Sequence, residues 1–286
     1  MKIKVGYLVS YDYSMFLTSV KQLYNHVDKI VVAIDKDRKT WSGNTFDIPQ
    51  SFFEEVKKYD VKNKIEFYFD IFYLPNLSPT ENEIRERNMV LVKLGRGWKI
   101  QLDVDEYVYE FKTIAKYLKK YWYFTLFPKM SPICFKGKLV TLFKKLPEGY
   151  IYIQNDEKFP FITNQTSNTF GRNNDKIRKV YTNINVIHQS WARTNEEILM
   201  KITNWGHRDD FDTIKYFEFW KSLNSENYSD QKNIHPLYPE IWNKLYFLES
   251  NSIDDFVEKY AVINPQKLIY VDKILMLKAM LKKFKF

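Results

Sequence analysis

The chain has 286 residues, 44 Lys+Arg against 35 Asp+Glu, a formal net charge of +9 and one cysteine, Cys134. This length buries a sizeable core, the lone cysteine excludes a disulfide framework and a thiol-rich zinc site, and the positive charge favours anionic partners such as nucleotide diphosphates, nucleic acid or an acidic membrane face. No apolar run reaches the roughly eighteen residues of a transmembrane segment, and the opening "MKIKVGYLVS" lacks a signal-peptide pattern, so the expected location is cytoplasmic.

Taken in chain order, "KIKVGYLV" (2–9) reads as a strand. "SMFLTSVKQLYNHV" then places Phe16, Leu17, Val20, Leu23, Tyr24 and Val27 on one helical face. "KIVVAID" (29–35) is the nearly continuous apolar strand of a parallel-sheet interior. A helix near 50–60 and a strand over 64–72 follow. Ser78, Pro79 and Glu81 open the next helix with a capping box, and Gly95 and Gly97 end it before the strand "WKIQLDV". Strand and helix thus alternate through the first 105 residues, the pattern of a doubly wound α/β sheet whose ligands bind at the carboxyl ends of the strands. Residues 111–121 read as a helix and 122–187 as strands and loops. Thr194 and Glu197 form a second capping box, opening a helix through about Trp205, and 211–286 reads as mainly helical. The expected organisation is a core over 1–190 with acceptor-side loops, and a mainly helical C-terminal extension of the same domain over 191–286.

Several chemistries are missing. No G-x-G-x-x-G follows the first strand, no G-x-x-x-x-G-K-[ST] occurs, and there is no G-x-S-x-G. A Rossmann dinucleotide site, a P-loop NTPase and an α/β-hydrolase are therefore disfavoured.

The most informative stretch is "WKIQLDVDEYVY" (98–109), where Asp103, Asp105 and Glu106 follow an apolar strand. Such carboxylates are costly to place without a positive partner. Residues two apart on a strand point to one side, and at the strand end Asp103 and Asp105 suit a hard divalent cation that also carries phosphate oxygens. A solvated acidic turn is the alternative.

In context, "RERNMVLVKLGRGWKIQLDVDEYV" (85–108) resembles the glycosyltransferases of the GT-A fold, in particular those like family 2, and the strands ending at "SYDYS" and "AIDKD" follow the same plan. The resemblance covers about the first 110 residues, and "NVIHQSWARTNEEILMKITNWGH" (185–207) is similar to a His-containing segment downstream in some of these enzymes. It implies a GT-A-like Rossmann-type sandwich with a central, mostly parallel sheet and a helical C-terminal part. It further implies a sugar transferase that uses a nucleotide sugar, read as UDP-linked, with Mn²⁺ or Mg²⁺ held by Asp103, Asp105 and His188. The cation would neutralise charge growing on the departing diphosphate. Asp103 would also meet the ribose-diphosphate. Asp12 and Asp35 fall at the ends of the first two strands, Asp35 where the base or ribose is met or else at a turn. Arg87 would touch the nucleotide or pair with a nearby carboxylate such as Asp35. Arg193 and Lys201 would hold phosphate oxygens or lie on a solvated helix face. Trp191, Trp205 and Tyr109 would stack on sugars or fill the core. The catalytic base, if one is fixed, is sought among Asp156, Glu157, Asp209 and Asp210.

The acceptor expected is a glycan or lipid-linked glycan. A modified base in phage or viral DNA is the alternative, with "GRNNDKIRK" (171–179) available for phosphate contacts. A D-x-D phosphatase fits less well, because Tyr107 stands where that motif carries Thr or Val; a non-catalytic nucleotide-binding module is the remaining class. The tail "VDKILMLKAMLKKFKF" (271–286), apolar on one side and basic on the other, either lies on an anionic membrane surface or docks as a last helix.

Overall fold

The computed structural model describes residues 1–204 and 210–270, with the side chains of 155, 156, 203 and 204 set aside. The expected membrane-surface tail 271–286, and with it Trp205 and Asp209, lies outside the described residues. The chain packs as two compact units that do not follow residue order. Of the described residues, the first takes 1–137, 159–184 and 266–270; the second takes 138–158, 185–204 and 210–265.

The first unit is built on the α/β pattern. Strands β1 (Ile3–Leu8), β2 (Lys29–Asp35), β3 (Ile65–Asp70) and β4 (Trp98–Asp103) alternate with helices α1 (Phe16–Lys21), α2 (Gln50–Tyr59) and α3 (Pro79–Leu94). They pair in parallel in the order β3-β2-β1-β4. A two-residue β5 (Glu106–Tyr107) and α4 (Phe111–Lys120) follow. Three long strands, β6 (Ile133–Leu146), β7 (Gly149–Thr163) and β8 (Arg178–His188), extend the sheet beyond β4 in the order β7-β6-β8-β5, and their residues are divided between the units. The β4–β7 pairing is antiparallel, with Ile100 opposite Ile162.

The apolar run of β2 is buried from Ile30 to Asp35, as a strand covered on both faces requires. Leu8, Val31, Ala33, Phe72, Val90 and Leu94 form one cluster of this core. The α3 capping box forms as expected, with Ser78 accepting from Glu81 N and Glu81 from Ser78 N. The first helix is shorter than its apolar face. It stops at Lys21, and Leu23 N→Val20 O (3.0 Å) and His26 N→Leu23 O (2.9 Å) tighten the rest into a 3₁₀ turn. Phe16, Val20, Leu23, Tyr24 and Val27 are still buried, because these turns keep the same side inward.

The second unit has its own core, which includes Phe143, Ile151, Trp191, Ile198, Trp220 and Trp242. Helices α5 (Asn195–Asn204), α6 (Thr213–Ser222) and α7 (Ile253–Ile263) supply its helical part. The Thr194–Glu197 capping box forms, with Thr194 N→Glu197 Oε2 at 2.9 Å and Glu197 N→Thr194 Oγ1 at 3.2 Å. The described part after 211 is less helical than expected. Strand β9 (Tyr246–Glu249) pairs with β7, and 223–245 holds only short 3₁₀ turns. The Asn, Ser and Pro residues of "NSENYSDQKNIHPLYPE" break helices there.

Gly6 lies where α3 crosses β1, and a Cβ there would come 2.3 Å from Val90 Cγ1. A stiff β-branched neighbour in a buried helix has little room to move aside. Gly6→Val is expected to cost about 1–3 kcal/mol by overpacking, measured as a lower urea midpoint, and Gly6→Val with Val90→Ala should regain part of it.

Candidate functional site

Four strands reach the carboxyl edge of the parallel sheet: β1 runs on into Ser10–Asp12, and Asp35, Asp70 and Asp103 are the last residues of β2, β3 and β4. Leu8 of β1 lies opposite Asp103 of β4, so this edge gathers the residues that carry chemistry.

The acidic cluster of 103–106 meets two guanidinium groups. Arg87, from the middle of α3, reaches Asp103 with Nη2 at 3.1 Å from Oδ1 and pairs Nε with Glu83 Oε1 at 2.8 Å. Arg172 bridges Asp103 and Glu106: its Nη1 lies 2.8 Å from Glu106 Oε2, its Nη2 2.8 Å from Glu106 Oε1, and its Nη2 also pairs with Asp103. Glu106 turns back on the strand as well, accepting from Asp103 N at 3.0 Å. Burial by itself would lower the Arg172 pKa, but Asp103 and Glu106 more than offset it, so the guanidinium stays charged.

The chain brings Arg172 here by a defined route. Asn88 and Asn168 bond reciprocally, with Asn168 N→Asn88 Oδ1 at 2.6 Å and Asn88 Nδ2→Asn168 O at 3.2 Å. Asn168 Nδ2 also donates to Gln101 Oε1 at 2.9 Å. These bonds fix the start of the loop to α3 and β4. Gly171, with φ +50°, then makes the tight turn in which Phe170 and Asn173 exchange backbone hydrogen bonds. The Arg172 guanidinium also lies 5.4 Å from the Phe159 ring centroid.

A second layer surrounds Arg87. Its guanidinium stands 5.7 Å from the Trp41 ring centroid, and Trp41 Nε1 donates to Glu86 Oε2 at 2.6 Å. Burial pushes the Glu86 carboxyl up to about 8, against the Trp41 hydrogen bond and the Arg87 charge. Arg87 is only 3% exposed, and its Nη1 is buried without a hydrogen-bond partner among the described residues. A buried, charged donor in that state is an opening for an anion.

The expected residues separate as follows. Arg87 pairs with a carboxylate, as one reading of it had it, but with Asp103 and Glu83 where Asp35 was the expected partner. The D-x-D does not run along a strand: β4 ends at Asp103, Val104–Asp105 is a turn, and the carboxylate that shares Arg172 with Asp103 is Glu106. Asp105 is buried. Asp35 shapes a loop. Its Oδ1 accepts from Asp37 N (2.9 Å) and Lys39 N (3.1 Å), its Oδ2 from Phe72 N (2.8 Å) and Tyr73 N (3.0 Å). Four N–H donors fill its in-plane lone pairs, so contact with a base or ribose would displace one of them. Asp12 Oδ1 accepts from Ser10 Oγ at 3.2 Å, beside the end of β1.

His188, Trp191, Arg193, Lys201, Glu157 and Asp210 belong to the second unit. Trp191 is 4% exposed, with Phe143 at 5.9 Å and Trp242 at 6.1 Å, and offers no face to a sugar; Tyr109 is buried too. Lys201 Nζ donates to Ser190 O at 2.7 Å and Ser190 Oγ at 2.8 Å. His188 ends β8, Arg193 is half-buried, and Glu157 and Asp210 are exposed. The side chain of Asp156 and all of Asp209 lie outside the described residues. Among the described residues no three His, Cys, Asp or Glu side chains are grouped so as to hold a metal ion. Asp103 and Glu106 are both engaged by guanidinium groups.

The residue that the sequence did not assign to this cluster is Arg172. It stood inside "GRNNDKIRK" (171–179), read for nucleic-acid phosphates. The signal was there, since an arginine behind a turn glycine is presented by a tight loop, but its carboxylate partners lie 66 and 69 positions away.

No protein-family model matches the chain, and no curated protein does. Among solved structures it overlaps residues 1–349 of S. aureus TarS at 17% identity and TM-score 0.31, over 52% of this chain and 39% of that one. It overlaps a Helicobacter pylori mannose-6-phosphate isomerase at 16% identity and TM-score 0.31, over 58% of this chain and 62% of that one. A CMP:2-keto-3-deoxy-manno-octonic acid synthetase complexed with CTP overlaps at 11% identity and TM-score 0.29, over 58% and 72%. The chain thus spans less than two thirds of the first two structures, and no assignment follows from overlaps this partial.

Two outcomes test this arrangement. Arg172→Met takes the guanidinium from Glu106, which is only 2% exposed, and leaves Asp103 to Arg87; it is expected to cost about 3–5 kcal/mol in denaturant unfolding, and Arg172→Lys to recover only part because it loses the two-pronged geometry. A Glu86 carboxyl raised from 4.5 to about 8 binds its proton more tightly when folded. Its contribution is complete below the unfolded value and is lost as pH rises toward 8. Stability of the wild type should therefore fall between these values, and Glu86→Gln should flatten that slope in urea titrations run across the range.

Proposed function

We propose that the chain is a glycosyltransferase that moves a sugar from a nucleotide sugar, read as UDP-linked, to a glycan or lipid-linked glycan. The observation that carries this reading is the pair of guanidiniums, Arg87 and Arg172, gathered with Asp103 at the carboxyl end of β4, where doubly wound sheets bind their ligands. The resemblance of 85–108 to family 2-like GT-A enzymes supports the same assignment.

The chemistry follows from charge. The bond between the anomeric carbon and the diphosphate breaks, and its electron pair leaves on the diphosphate. The acceptor oxygen bonds to the anomeric carbon and gives up its proton to a carboxylate or to water. Negative charge grows on the departing diphosphate, and buried guanidiniums stabilise it without reorganising at the moment of reaction. Arg87 Nη1 is the first donor available, because among the described residues it has no partner to surrender. Arg172 would exchange a carboxylate for a phosphate oxygen. In this arrangement the neutralising role of a divalent cation falls to the two arginines. A cation at Asp103 and Asp105 would require Arg172 to leave Asp103, so metal dependence is a direct readout of that exchange.

Thermal unfolding with UDP, GDP or CDP, each with and without Mn²⁺, tests the proposal. A ligand at a hundredfold its Kd adds about 3 kcal/mol. One diphosphate is expected to raise the midpoint by a few degrees. Arg87→Ala, if it folds with the wild-type circular dichroism spectrum, should abolish the rise, whereas Asp103→Asn should abolish only a rise that needs Mn²⁺. A shift that needs Mn²⁺ would assign Asp103 and Asp105 to a metal, and one that does not would assign the charge to the arginines. No shift with any diphosphate, with or without metal, would sink the transferase reading.

A further inference from the structure

A segment of the first unit far in sequence from the acidic cluster has a composition that the transferase reading does not use. Residues 111–137 carry six lysines and no Asp, Glu or Arg. Helix α4 turns Phe111, Ile114, Tyr117 and Leu118 into the core, leaving Lys112, Lys116, Lys119 and Lys120 exposed. The chain then makes a 3₁₀ turn over Trp122–Thr125 and a further turn to Met130. In these nine residues Trp122 is 49%, Leu126 50%, Phe127 61% and Met130 42% exposed, beside an exposed Lys129.

The exposure is built in. Beneath the knuckle, Tyr121 and Phe124 are buried. Asn164 Nδ2 donates to Phe124 O and Ser131 O, each at 2.8 Å, and Gln165 Nε2 donates to Pro128 O at 2.7 Å. Leu126 N→Tyr123 O (3.2 Å), Met130 N→Phe127 O (3.1 Å) and Thr125 Oγ1→Trp122 O (2.7 Å) close the turns. The backbone is held from below while the apolar tips point outward. Tyr270, 50% exposed, extends the rim, with Lys120 Nζ 3.9 Å from its ring centroid.

We propose that residues 119–130 form a membrane-docking knuckle that inserts Trp122, Leu126 and Phe127 among the lipids of an anionic bilayer surface, with Lys119, Lys120 and Lys129 on the headgroups. Large exposed apolar side chains in a lysine-bearing segment without acid match an interface that is apolar within and negative at its surface. Trp at the boundary is what such interfaces favour. Nucleic acid fits less well: the segment has no arginine, and Leu126 and Met130 offer nothing to a base edge or a phosphate. A lipid surface would also be where a lipid-linked acceptor is met. Vesicle binding needs no donor, however, so it is read independently of the transferase proposal.

The test is sedimentation of the full chain with vesicles of phosphatidylcholine, or of phosphatidylcholine with about one third phosphatidylglycerol. Binding is expected on the anionic vesicles only and should weaken with salt. Trp122→Ser with Phe127→Ser should weaken it at least about tenfold, and so, separately, should Lys119→Glu with Lys120→Glu. Both pairs lie on the surface, and each variant's thermal midpoint should match the wild type. Equal binding to neutral vesicles, unchanged binding by folded knuckle variants, binding to duplex DNA in place of vesicles, or a knuckle-dependent dimer that ignores lipid would each overturn the proposal.

Discussion

A carboxylate taken out of water needs a positive partner, and in this protein that demand falls on a short stretch after β4. Glu106 is almost fully buried and Asp103 lies beside it. The two groups repel each other and Glu106 loses its hydration, which is tolerable only when a cation with matching geometry is fixed between them. Arg172 is that cation. Its planar fork reaches both carboxylates together, which a lysine could not do with the same economy of hydrogen bonds. Arg172 must therefore be brought accurately to one place, and the loop that carries it is tied to α3 and β4 through Asn88, Gln101 and Asn168.

The same solution recurs around the carboxyl edge of the sheet. Single buried polar side chains take several backbone groups at once and so set the shape of the loops. Asp35 holds the chain after β2 to the chain after β3. Asn82 donates to Trp41 O and Leu74 O, each at 3.2 Å, and accepts from Leu74 N at 2.9 Å. That places Trp41 over Arg87 and against Glu86. A site whose walls are fixed in this way presents its charges without reorganising, the condition under which a guanidinium does most for a developing anion. Arg87 Nη1 stands apart as a buried donor that this network leaves unmatched among the described residues.

The first unit uses positive charge in two different ways. At the acidic cluster, arginines are buried and paired, and their value lies in geometry. Along 111–130, lysines are exposed and unopposed by any acid in the segment, and their value lies in long-range attraction to a negative surface. A formal net charge of +9 conceals that division. The two residue types follow it: guanidinium where bidentate bonds are needed, ammonium on flexible stems where a diffuse field suffices.

Local signals carried much of the fold. The buried run of β2, the Ser78–Glu81 box on α3 and the Thr194–Glu197 box on α5 were legible because each depends on residues a few positions apart. So was the cluster at 103–106, as charge that needed an explanation. What answered it was not legible, since the partners of Arg172 are joined to it only after β4 and the 164–177 loop are folded against each other. The fate of Asp35 was equally hidden: an aspartate at a strand end looks the same whether it faces a ligand or four backbone N–H groups. Trp191 could be read for sugar or core, and only packing put it among Phe143 and Trp242. The sequence by itself determined the alternation of strands and helices and the places where charge would accumulate, because those rest on periodicity and near neighbours. Which charges face one another was decided by the tertiary structure, because an ion pair forms between groups close in space, and chain separation says little about that.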